Sequence, residues 1–374
     1  MKKSYFLMAV AAAMFASCSE NEVLNVATES APAEIAFETY AGKVTRAENS
    51  SQTEKLTLDQ HQTSFKVWAA KQLNNASWVG VYKDAQTVTW SSGLWNVTNT
   101  KYWDKSASKY LFYAAAPASA NWGYDVNGSA DDYSDDYLTL LGVTLAGTDL
   151  STALSTVAYQ HSWLNAGGDV DYLIATDKEV LRPFYTAAPP IGKVNLEFNH
   201  ILSRLNITVK KGGKLLTAGD EVVVTGLEVR NLLKAGNFNE GVNIVGDPLV
   251  EGTTERWTTT GEKYTITGKG YTMSSEPAYL LQALVIPQVA TYQPIDRNGS
   301  TSTEHPYVYI TYTINEEPYA AAYNLAHVFV GEQNLAFCEG WQNTLNITID
   351  ADAIEFTGDV FKWADDVYNG IEFK

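Results

Sequence analysis

From residue 64 to residue 349, short runs rich in Val, Ile, Thr, Tyr, Phe and Trp alternate apolar with polar side chains, and clusters of Gly, Asn, Asp and Pro separate them. A period of two places every second side chain on one face of a pleated strand, so each run can bury one face and wet the other. A helix would need apolar residues every third or fourth position, and that spacing is nearly absent. Strands are expected over 64–70, 77–82, 87–90, 109–115, 171–176, 193–198, 205–209, 221–230, 278–286, 308–314 and 344–349. Prolines fall at the ends of these runs, where a missing backbone donor breaks no ladder. The pattern implies an all-β chain of antiparallel sandwiches and argues against a parallel sheet wound with helices.

Two adjacent prolines in Ala187-Ala188-Pro189-Pro190 bar regular structure and divide the strand-rich region into halves of similar size. The expected organisation is an N-terminal β-domain over 33–190 and a C-terminal β-domain over 191–374. Ahead of them, Lys2 and Lys3 precede an uncharged apolar run from Tyr5 to Phe15, then Ala16, Ser17 and Cys18. This reads as a signal peptide over 1–17, its apolar run being about half of the ~20 residues a membrane-spanning helix needs. A Cys directly after Phe15-Ala16-Ser17 is similar to a bacterial lipobox, in which the sulfur is acylated, although Phe15 stands where Leu is usual. The alternative is an ordinary secretory signal with an idle Cys18. Residues 18–32 are polar and without period, which suits a tether from lipid to folded domain.

With Cys18 acylated, Cys338 is the remaining thiol and no internal disulfide can form, so apolar burial must hold the fold. The chain carries a formal charge of −17, which disfavours nucleic acid and anionic lipid as partners. No Cys-x-x-Cys, His-Glu-x-x-His, Gly-x-Ser-x-Gly or phosphate-cradling glycine loop occurs, and the histidines at 61, 161, 200, 305 and 327 are too scattered for a metal face. Neither an enzyme, a cofactor nor a metal site is expected, although a pair of carboxylates for glycoside hydrolysis would leave no signature in sequence. The acidic stretch 125–136 offers oxygen ligands but not the spacing of a calcium loop, and reads as a solvated surface. Trp90, Trp95, Tyr102, Trp103 and Trp122 could stack on sugars, but the same residue types fill sandwich cores. His200, flanked on its strand by Phe198 and Leu202, reads as a packed core residue.

Several short patterns in order along the chain carry a resemblance. They are Cys18, Val44-Thr45-Arg46-Ala47, Trp103 followed by Tyr110-Leu111-Phe112-Tyr113-Ala114, Phe198-Asn199-His200-Ile201-Leu202-Ser203-Arg204-Leu205, Gly340-Trp341, the alternating Leu345, Ile347 and Ile349, then Ile354 and Trp363. Together they resemble the fimbrillins of Bacteroidetes-type bacteria. The resemblance implies two transthyretin-like antiparallel β-sandwich domains in tandem, export as an outer-membrane lipoprotein, and work as a pilus (fimbria) subunit that supports adhesion. Partners would be other pilus subunits, the outer membrane through the lipid, and a host or glycan ligand. It also implies assembly by strand exchange, in which a protease cuts after an arginine, the first strand departs, and a neighbour's strand fills the groove.

Residues suited to those steps are present. Ile35, Phe37, Thr39 and Ala41 alternate with Ala36, Glu38 and Tyr40 as a strand with one core face would. Arg46 follows, and the polar stretch from Ala47 to Gln52 could thread a protease cleft, so cleavage is expected between Arg46 and Ala47. A donor strand is expected from Ile354, Phe356, Val360, Trp363, Val367, Ile371 and Phe373, which could instead complete the C-terminal domain's own sheet. The rival to a pilus stalk subunit is a lipid-anchored glycan-binding protein or pilus-tip adhesin, for which a C-terminus locked into its own sheet would speak.

Overall fold

The structure, a computed structural model, describes residues 33–41, 63–73, 77–125, 136–147, 169–182, 193–242, 256–290, 305–325 and 335–362. These residues are nearly all strand. A seven-stranded sheet runs, in spatial order, β1 (Phe37–Ala41), β9 (Val194–His200), β8 (Leu173–Leu181), β5 (Ala107–Ala116), β2 (Ser64–Leu73), β3 (Ser77–Ser91) and β4 (Leu94–Val97). Beside it lies a sheet of β13 (Trp257–Thr259), β12 (Ala235–Asn239), β7 (Tyr137–Thr144) and β6 (Trp122–Asp125). Later residues form a sheet of β16 (Ala278–Val285), β10 (Ser203–Lys211), β21 (Trp341–Ile349) and β22 (Ile354–Lys362). It is accompanied by a sheet of β14 (Lys263–Gly268), β11 (Val222–Leu233), β18 (Tyr307–Ile314) and β19 (Glu317–Asn324), with β15 (Tyr271–Thr272) also on β11. A ribbon of β17 (Gln288–Ala290) and β20 (Leu335–Phe337) and a helix α1 (Gly213–Ala218), ended by Gly219 at φ 74°, complete the description.

The chain is all-β, and among the described residues most ladders are antiparallel. Two there are not: β1 runs parallel to β9, and β10 parallel to β21. The two separate runs expected over 77–82 and 87–90 are one fifteen-residue strand, β3, whose pairing with β2 slips register on both sides of Ala69. Such irregularities bend a strand and raise its local twist.

Alternate residues of β9, Val194, Leu196, Phe198 and His200, are buried while Glu197 and Asn199 are exposed, so the period read from sequence is the period of burial. Inward residues of the seven-stranded sheet, among them Phe65, Val67, Phe112, Ala114, Leu196 and Phe198, form one core. The sheet is rolled. Adjacent strands lie about 4.8 Å apart, so β1 and β2, four steps distant, would be about 19 Å apart in a flat sheet. Instead the rings of Phe37 on β1 and Phe65 on β2 lie 6.0 Å apart.

The opposite face contributes Trp68, Leu111, Tyr113 and Ile174 to a second core, where they meet Leu138 and Leu140 of β7, Phe238 of β12 and Trp257 of β13. A third core fills the space between the sheets of β10 and β11. The strands of the first half therefore run past residue 190 to include Val194–His200, and β12 returns from the second half to pair with β7. The prolines at 189 and 190 lie outside the described residues. Near this junction, Arg256 Nη1 lies 3.5 Å from Glu339 Oε2, and burial pushes the Glu339 carboxyl up to about 8 despite that contact, with Glu240 adding negative charge.

Candidate functional site

The N-terminal described segment is a strand laid on the edge of the rolled sheet. Its first residues pair with the chain around Tyr102: Ile35 N–H donates to Lys101 O at 2.8 Å and Trp103 N–H to Ala33 O at 2.9 Å. The segment then passes to β9. Val194 N–H donates to Ala36 O at 2.8 Å, and β1 pairs from Phe37 opposite Val194 to Ala41 opposite Phe198. As the last strand of its sheet, β1 has a sheet neighbour on one side only, so it could depart without splitting the sheet.

The alternation expected here is realised in Ile35, Phe37 and Thr39, each 2% exposed, with Glu34 and Glu38 on the outside. Phe37 meets Phe65 and Phe112 edge-to-face, at 6.0 and 5.9 Å. Fully burying a side chain such as Ile or Phe contributes about 1.5–3 kcal/mol each. Thr39 is polar on this apolar face for a visible reason: its Oγ1 accepts a hydrogen bond from Trp95 Nε1 at 3.0 Å. Trp95 sits on β4, the far edge of the same sheet, so this bond joins the two edges across the seam of the roll. Lys193 Nζ and Glu38 Oε1 stand 3.8 Å apart on the exposed side, where an ion pair contributes little.

The other expected site residues are placed as follows. Cys18, Arg46 and Ala47 lie outside the described residues. Of the donor candidates, Ile354 and Phe356 sit on β22 packed against the C-terminal core, and Phe356 stacks on Tyr323 of β19 at 4.6 Å. Val360 is also on β22, opposite Asn343, while Trp363, Val367, Ile371 and Phe373 lie outside the described residues. β22 pairs with β21 along its whole length.

The aromatic cluster considered as a sugar platform is mostly core. Trp95, Trp103 and Trp122 are buried, Trp90 is half-buried against Trp95, and Tyr102 alone of the five is well exposed. His200 is buried, with Nδ1 2.6 Å from Asp171 Oδ2. Asp136, at the end of the acidic stretch, is buried and accepts a hydrogen bond from Tyr124 OH, while 126–135 lie outside the described residues. Among the described residues no group of three or more His, Cys, Asp and Glu could hold a metal ion, and no helix is long and apolar enough to cross a membrane.

Sequence reasoning did not find the parallel pairing with β9, the pairing of 33–35 with the chain around Tyr102, or the bond from Trp95. Only a lone threonine on an otherwise apolar face hinted at a buried polar partner.

Known proteins offer four points of comparison. A family model described as fimbrillin-like matches residues 45–363, beginning just beyond β1. Fimbrium subunit Fim1C of Phocaeicola vulgatus is 26% identical over 235 residues, 61% of this chain and 57% of that protein, so the match spans little more than half of the relative's length. A fimbrial protein of Bacteroides vulgatus has a similar fold, with TM-score 0.50 and 15% identity over 88% of this chain and 99% of that one. A candidate cell adhesion protein of Bacteroides uniformis aligns at TM-score 0.44 and 17% identity over 88% and 98%. With a family model matched over most of its length, this chain belongs to the fimbrillin-like family.

Proposed function

We propose that this chain is a structural subunit of a cell-surface fimbrium, exported by its signal peptide, lipidated at Cys18 for the outer membrane, and polymerised by strand exchange after cleavage between Arg46 and Ala47. One observation carries the reading. β1 is an edge strand whose inward residues Phe37 and Thr39, with Ile35 just ahead of them, plug an aromatic groove, and an arginine follows it by five residues. Its loss would uncover apolar surface and the unpaired backbone groups of β9, a state that is costly until another strand fills it. Strand addition answers both needs, backbone bonds giving affinity and alternate pockets giving selectivity. The donor is drawn from the residues after Lys362, among them Trp363, Val367, Ile371 and Phe373, because releasing β22 would also break its ladder with β21 and the Tyr323–Phe356 stack.

The test is to treat the mature protein with an arginine-specific protease, identify the new N-terminus by mass spectrometry, and run the products unboiled on a denaturing gel. The expected result is a chain starting at Ala47 and a ladder of oligomers that boiling dissolves. A cut chain that stays monomeric sinks the strand-exchange reading.

A second reading, a pilus-tip adhesin or lipid-anchored glycan-binding protein, draws support from the engagement of β22 in its own sheet, since a tip subunit needs an open groove and no donor. The burial of Trp95, Trp103 and Trp122 weighs against their being its sugar platform.

A further inference from the structure

We infer that the groove under β1 selects its occupant by a hydrogen-bond acceptor at the position of Thr39, read by the buried indole N–H of Trp95. This rests on the strand-exchange reading above and names the strand that the groove would take. From Ile35 into β1 the pattern is a branched aliphatic residue, an aromatic residue and then a neutral side-chain acceptor at alternate positions; the position the indole reads is the last of these, and in the donor tail after Lys362 the residue of that kind is Asn369, two positions after the apolar Val367.

The geometry gives the indole no easy alternative. Trp95 is 9% exposed, and its ring is held edge-on by Phe65 at 5.0 Å and by Trp90 at 5.1 Å. Turning its N–H toward solvent would forfeit both contacts. With β1 gone, Nε1 would face the vacated groove and bind water. An incoming strand with Val or Ala at this position would strip that water and leave a dry donor unmatched. A strand with Thr, Ser or Asn would match it, and an Asp would bring a carboxylate into an apolar site. Valine would fill nearly the same volume as Thr39 but accept no hydrogen bond, so the groove tells the two apart by the acceptor and not by size.

This chain's own β22 lacks the acceptor. Ile354-Glu355-Phe356-Thr357-Gly358 repeats the spacing of Ile35 and Phe37, yet it places glycine where the acceptor must be. Read in the direction of β1, it would leave Trp95 unmatched, and the occupant is instead the tail after Lys362 of a neighbouring subunit, with Asn369 at the position of Thr39.

The experiment is a competition during assembly. Synthetic peptides spanning residues 33–41, in native, Thr39→Ser and Thr39→Val forms, are titrated into the full-length protein while the arginine-specific protease cuts it, and loss of the oligomer ladder is read. The native and Ser peptides are expected to block assembly at similar concentrations, and the Val peptide to be about 10- to 100-fold weaker, the range set by one unmatched buried donor. In a Trp95→Phe chain the gap between Thr and Val peptides is expected to close. If a ladder forms and the Thr and Val peptides are equipotent on the native chain, whether both compete or neither does, the selection by Trp95 is overturned while strand exchange stands. If no ladder forms even without peptide, strand exchange itself fails.

Discussion

Glu339 sits in the turn before β21, held out of water beside a single long contact from Arg256. Burial, the main cause, pushes its carboxyl from the ordinary 4.5 up to about 8. Between those two pH values the folded chain keeps a proton that the unfolded chain has released. Stability is therefore expected to fall as pH rises from about 4.5 toward about 8 and to level off beyond, with a slope of at most about 1.4 kcal/mol per pH unit from this group. Glu339→Gln, neutral at every pH, is expected to flatten that stretch of the curve; denaturant midpoints across the range check it, and an unchanged slope would assign the dependence elsewhere. Nothing in the sequence marked Glu339, because its environment is made by Arg256 and Glu240, residues remote in the chain. Ile35, Phe37 and Thr39 were legible, by contrast, because alternation is a local property that the chain carries without reference to its partners.

At the scale of the element, β22 separates two versions of assembly. In the uncut protein its nine residues pair with β21 on one side, so amide hydrogen exchange is expected to be slow at the alternate positions of Ile354–Lys362 whose N–H groups face β21. After cleavage and oligomer formation, that protection is expected to persist, with the donor drawn from later residues. A burst of exchange confined to β22 on assembly would show instead that β22 itself is handed to the neighbour. Strands such as β9 and β18 could be read from sequence because one face of each is buried and the other is wet. β12 could not: Ala235–Asn239 contains two asparagines and a glycine, and it is a strand because β7 and β13 flank it on both sides. The parallel pairing of β1 was equally hidden, since register between segments about 150 residues apart leaves no local trace.

Over the whole molecule, the two halves share a core. Phe238 and Trp257 from the second half cover Trp68, Leu111 and Tyr113 of the first. A fragment ending at residue 200 would leave that face bare, and it is expected to aggregate or to bind a dye that lights up on exposed apolar surface, whereas the full chain does neither. A fragment that folds cleanly as a monomer would show that the halves are independent.

The direction of β1 also bears on how the molecule would take a load. Its five backbone pairs with β9 lie in line along the strand. A strand lifted from one end gives up such pairs one after another, each at small force, as the original plug would once cut behind Ala41. A strand pulled along its length must give them all up at once. If strands are exchanged as proposed, the same groove would release its first occupant by peeling and still hold its successor under tension, as a fibre anchored at one end and tugged at the other requires.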